Sequence, residues 1–186
     1  LGLLLVIVAL RSVAHMGLFA FVPLWEVAKG NGAAHGTRLL SLFLLAGAIG
    51  TIAGGPLADR FGRRPILLGS FTAATPLILV YVLAGGLAGD VALILSGAAI
   101  IGTFGVTLVM SQEYMPARVG MASGLSIGTA IGLGGVAALT LGALADAIDL
   151  ETAVLATATG PALALLLTLV LPPARARLVP RPAPTI

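Results

Sequence analysis

Gly55-Pro56-Leu57-Ala58-Asp59-Arg60-Phe61-Gly62-Arg63-Arg64 is a knot of charge and glycine set between two long apolar runs. Its arginines interrupt a sequence that is otherwise almost free of charge. Placing one of them at a bilayer centre costs at least about 2.5 kcal/mol on insertion scales, and an irregular backbone cannot be satisfied by lipid. The segment therefore has to sit in water or among headgroups, as a short turn between two membrane-spanning helices.

Working outward, the composition agrees. Apolar residues make up 59% of the chain and charged residues 9%, with a mean hydropathy of +1.13. That is far from a soluble domain and describes an all-α integral membrane protein whose surroundings are a lipid bilayer. The isoelectric point near 10.2 does not signal nucleic acid, because the basic residues are confined to loops and a tail instead of forming a stripe. No cysteine is present, so a disulfide framework, a thiolate catalyst and a cysteine metal site are excluded. Residue 1 is Leu, already inside an apolar run and without a basic leader or cleavage site. It does not read as a signal peptide, and the chain is expected to start in mid-protein.

Runs of about 20 apolar residues, enough to cross a hydrocarbon core of about 30 Å, fall at 1–24, 39–58, 65–87, 91–110, 119–145 and 153–171. Residues 1–172 are thus expected to form one six-helix bundle, and 173–186 a disordered, basic, proline-rich tail. Alternation puts Arg60, Arg63, Arg64, Arg118, Arg175, Arg177 and Arg181 on one side, and Lys29 and Arg38 on the other. By the positive-inside rule the first side is cytoplasmic, with both chain ends there, as in a multi-pass protein of the cell (inner) membrane.

Gly120, Gly124, Gly128 and Gly132 recur every fourth residue in the fifth run, and Ala46, Gly50, Gly54 and Ala58 do so in the second. Small residues at this spacing form a smooth face, which predicts close helix packing and leaves open that helices slide along it. Pro76 and Gly160-Pro161 remove backbone hydrogen bonds and are expected to kink the third and sixth spans. Gly55-Pro-Leu-Ala-Asp59 and Gly142-Ala-Leu-Ala-Asp146 lie 87 residues apart, each ending the second span of a group of three. Because three spans is an odd number, the two groups are expected to be inverted repeats in the membrane.

Arg11 and His15 lie within the first span, four residues apart and so on one helix face. Counting about 1.5 Å per residue inward from Trp25, His15 is about 15 Å deep and Arg11 about 21 Å. An arginine there calls for a polar cavity or an anion, and a histidine can change charge near neutral pH. The alternatives are an Arg11 that reaches the interface and a His15 that donates to a backbone carbonyl. No carboxylate lies in mid-span; Glu113, at the inner end of the fourth, is the nearest candidate for a proton-carrying acid, and its place beside the basic loops favours a gating ion pair with Arg60, Arg63 or Arg64 over a buried proton site. No phosphate loop, His-Glu-x-x-His or nucleophile-elbow pattern occurs, so no enzymatic activity, cofactor or metal site is expected.

The 55–64 segment resembles the signature cytoplasmic loop of the major facilitator superfamily. Gly54-Gly-Pro-Leu-Ala-Asp59, Gln112-Glu113 followed by Pro116, Val119-Gly-Met-Ala-Ser-Gly-Leu125 and Gly142-Ala-Leu-Ala-Asp146 together resemble the C-terminal half of fosmidomycin resistance proteins, over about residues 37–155. The resemblance implies an alternating-access carrier whose N-terminal six-helix half is missing, exporting a small drug, anionic or neutral, such as fosmidomycin, against protons. It implies a gating loop of Gly55, Asp59, Arg60, Gly62, Arg63 and Arg64. Asp59 would cap a helix end of the other half, and one of the arginines would pair with Glu113. Uptake or exchange of a small metabolite by the same fold stays open, as does a non-transporting membrane scaffold.

Overall fold

The structure is a computed structural model that describes residues 1–171; the expected tail, with Arg175, Arg177 and Arg181, lies outside the described residues. Seven helices follow one another: α1 (Gly2–Ala28), α2 (Ala33–Phe61), α3 (Arg63–Ala84), α4 (Gly86–Tyr114), α5 (Val119–Ala147), α6 (Leu150–Ala156) and α7 (Thr159–Val170). Among the described residues there is no strand. Six segments are long and apolar enough to cross a membrane, α6 and α7 together forming the last, Leu150–Val170.

The sixth span breaks one turn before Gly160-Pro161. A proline ring excludes the carbonyl four residues back, here that of Thr157, and the N–H groups of Thr157 and Ala158 turn to carbonyls three residues back, at 3.1 and 3.0 Å. α3, by contrast, runs unbroken through Pro76. The connection between α3 and α4 also differs from the expected one at 88–90. The chain reverses at Gly85 and Gly86, both at positive φ (61° and 55°), a conformation glycine adopts without penalty. Asp90 is consequently helical and belongs to the first turns of α4.

α2 and α4 are the most intimate pair. A Cβ on Gly97 would run into the carbonyl of Phe43, one on Gly50 would lie 2.5 Å from the carbonyl oxygen of Ala98, and one on Gly54 2.8 Å from that of Gly102. These contacts are backbone against backbone, the approach that small residues permit. α5 behaves otherwise. Its buried face is Ala122, Ser126, Ala130, Gly134, Ala137 and Leu141, whereas Gly120, Gly124, Gly128 and Gly132 are exposed, with nothing within 4 Å of a Cβ built on any of them. The expected packing stripe is therefore not a contact of this bundle. The face that packs is offset by two residues, because α1 meets the opposite side of α5.

The inverted repeat is visible in the contacts. α1 packs along α5 as α4 packs along α2. Gly47 of α2 meets Ile101 of α4, and Gly134 of α5 meets Met16 of α1; Gly54 meets Gly102, and Leu141 meets Gly17. Each member of α2 maps onto α5 with the same spacing of 87 residues seen in the Gly-x-Leu-Ala-Asp pair. Two apolar cores result. One holds Leu18, Phe43, Ile78, Tyr81, Leu93 and Ile100; the other, nearer the 55–64 turn, holds Leu4, Ile7, Leu67, Phe71, Val106 and Met110.

Candidate functional site

The 55–64 turn is built on a single residue. Gly62, at φ +90°, ends α2 and begins α3, its N–H bonded to the carbonyl of Ala58 at 2.9 Å. With one residue between the helices, the side chains on either side of it are aimed by the helices themselves. Arg63 is directed to the end of α4, where its Nη1 lies 2.7 Å from Glu113 Oε1, and its Nη2 lies 3.8 Å from Asp59 Oδ1. Arg64 turns away. Its Nε donates to the carbonyl of Thr168 at 3.1 Å and its Nη2 to that of Leu169, so it closes the C-terminal end of α7, where a cation complements the helix dipole. Arg60 lies over the ring of Phe61, 5.4 Å from its centroid. The Asp59 side chain is 75% exposed, and Gly55 is exposed with open space where a Cβ would be.

Arg11 and His15 are separated by the packing. Arg11 is only 1% exposed and lies between α1 and α4, its guanidinium 5.3 Å from the centroid of Phe104 and its Nη1 at a long 3.5 Å from the carbonyl of Ile100. Thr103 Oγ1 donates to the same carbonyl at 2.8 Å, and Arg11 Nε has no hydrogen-bond partner among the described residues. Arg11 thus does not stand on an open cavity wall in this bundle; it is a cation in the helix packing, held by an aromatic face and a carbonyl. His15 is half-buried and stacks on Phe43 of α2 at 6.4 Å.

Around Arg11, α4 presents a buried polar row of Ser96, Thr103, Thr107 and Ser111. Each hydroxyl donates to a carbonyl three or four residues back in α4. This back-bonding lets polar groups line the interior without an unsatisfied donor.

At the other end of the bundle stands a network that sequence reasoning missed. Glu26 is fully buried and accepts from Tyr81 Oη at 2.9 Å and Asn31 Nδ2 at 2.7 Å, with Lys29 Nζ at 2.6 Å. His35 Nε2 lies 3.6 Å from Glu26 and 3.4 Å from Asp90. Lys29 covers the rings of Trp25 and Tyr81, at 5.5 and 5.0 Å. The spacing of Glu26 and Lys29 was a local signal of an i,i+3 pair. Tyr81, His35 and Asp90 come from three other helices, and no spacing links them.

The family model described as Major Facilitator Superfamily matches residues 2–139. An uncharacterized MFS-type transporter of Bacillus subtilis, YfnC, is 46% identical over 125 residues, 67% of this chain and 31% of that protein. The fosmidomycin resistance protein of Escherichia coli is 38% identical over 112 residues, 60% of this chain and 28% of that protein. Among solved structures, the transporter FucP in its outward conformation superposes with a TM-score of 0.79 at 20% identity, over 90% of this chain and 41% of its own. The chain spans less than half the length of each of these proteins.

Proposed function

As the chain belongs to the Major Facilitator Superfamily, we propose that it forms the C-terminal six-helix half of a carrier that expels a small anionic drug in exchange for protons. The observation that carries this reading is Arg11, a guanidinium at mid-membrane depth with a free Nε and no carboxylate partner among the described residues. A charge so placed is costly, and an anion that reaches it when α1 and α4 part during alternating access offsets that cost. The Arg63–Glu113 contact, with Asp59 open beside it, then serves as the gate at the cytoplasmic end. The basic turns support that sidedness, and with it a place in the cell membrane. The open glycine face of α5 at Gly120, Gly124, Gly128 and Gly132 is assigned to the other half, and His15 to the proton pathway.

Fosmidomycin is the first compound to try, given the named relative. In everted membrane vesicles containing the full-length carrier, an inside-acid pH gradient should drive fosmidomycin accumulation, and a protonophore should abolish it. Accumulation that ignores the gradient would refute proton coupling, and accumulation only in right-side-out vesicles would make the carrier an importer. Arg11→Ala is expected to lose most of this transport while inserting normally; full activity in that variant would remove Arg11 from the substrate path.

A further inference from the structure

The charged network at the far end of the bundle has chemistry that neither the substrate path nor the 55–64 turn uses. Its centre, Glu26, is satisfied by Lys29, Asn31 and Tyr81. Its edge is not. Asp90, near the start of α4, pairs with His35 and with no other cation among the described residues. His35 is one-third exposed and lies 3.6 Å from Glu26 on its other side. Gly36 presses the start of α2 onto α1, since a Cβ there would lie 2.9 Å from Pro23 Cα and 3.1 Å from Glu26 Cβ, so the imidazole is held between the two carboxylates.

Histidine changes charge between about pH 5 and pH 8. A neutral imidazole has a single N–H to give and no charge, whereas imidazolium is a counter-ion to both carboxylates. The other groups facing this site are Lys29 from α1, already engaged by Glu26, and the Tyr81 hydroxyl from α3; Arg38 follows on the same helix as His35. Packing does not demand the charges. At the corner related by the repeat, Ser111 and Ala122 stand where Glu26 and His35 do, joined by one hydroxyl bond of 3.3 Å.

We propose that His35, set between Glu26 and Asp90, is a proton-binding site at the outer face that ties α4 to the α1–α2 hairpin when protonated and frees it when neutral. The same α4 supplies the Ile100 carbonyl to Arg11 and Glu113 to the gate, so its outer end is mechanically continuous with both. The site rests on the proposed function only for its outward orientation, which the basic turns give.

A nitroxide attached through Leu87→Cys, on an 80% exposed position in the first turn of α4, reads the tie in the full-length carrier with any other cysteines replaced. Between about pH 5.5 and about pH 8 the mobile fraction of its spectrum should rise about two- to fivefold, the range expected for loss of one partly exposed ion pair. His35→Gln and Asp90→Asn should each give the mobile spectrum at both pH values, and His15→Gln should keep the response. A response that survives His35→Gln, or an unresponsive parent, overturns the proposal. Gradient-independent transport with an intact label response refutes the coupling reading alone, and gradient-driven transport without a label response refutes this site alone.

Discussion

Arg60, Arg63 and Arg64 look interchangeable in the sequence, yet the fold gives them separate work. Gly62 is the reason: with a one-residue connection, Arg63 is aimed at α4 and Arg64 at the end of α7. Neutralising Glu113 as Glu113→Gln should slow transport several-fold without reducing the amount inserted. The exchange Arg63→Glu with Glu113→Arg should restore part of it, because attraction across the contact survives the swap; a double variant worse than either single one would argue against a gate. Arg64→Ala should instead act on stability, by about 0.3–1 kcal/mol for a cation at a helix C-terminus, read as a lower thermal midpoint with the transport rate of the folded fraction retained. That the loop was charged and exposed was legible from residue types. Which arginine meets Glu113 was not, since that depends on how α3 leaves Gly62.

At the scale of helices, glycine spacing predicted close packing on two faces and was informative on one. In α2 the face of Gly50 and Gly54 does meet α4 at backbone distance, while the equally regular glycines of α5 meet nothing among the described residues. A four-residue repeat of small side chains says that approach is permitted, and only the neighbouring helix decides whether it happens. Gly97→Ala should therefore destabilise the carrier by about 1–3 kcal/mol, the usual cost of forcing a methyl into a packed contact, because the clash is with the Phe43 carbonyl and cannot be relieved by a rotamer change. Gly69→Ala on the exposed face of α3, with open space around it, should be neutral or gain up to about 1 kcal/mol of helix propensity. Thermal unfolding of the detergent-solubilised protein separates the two, and equal midpoints would mean that α2 and α4 are further apart than described.

For the whole molecule, the repeat makes α1 against α5 the counterpart of α4 against α2. The looser member of the pair is testable by cross-linking. A Cβ at Gly134 would lie 3.2 Å from that of Ser12, close to the separation a disulfide spans, so Ser12→Cys with Gly134→Cys should join α1 to α5 on mild oxidation. The product is read as a band shift after cleavage in the α2–α4 region; failure to form it would remove the repeat-related packing. The positions matching Ser12 and Gly134 in the other pair are Gly97 and Gly47, which is why α2 and α4 approach more closely.

The sequence by itself determined that this is a membrane protein of six apolar spans, where its basic turns lie, its family and the presence of an inverted repeat. All of these follow from local properties: run length, charge and motif spacing for the spans, turns and repeat, and the resemblance of the 55–64 segment for the family. Tertiary structure alone decided the burial of Arg11 against Phe104, the choice of Arg63 for Glu113, the idle glycine face of α5 and the assembly of Glu26, Tyr81, His35 and Asp90. In each of these the partners come from different helices, and relative helix position is set by packing summed over the whole bundle, a quantity no single stretch of chain encodes.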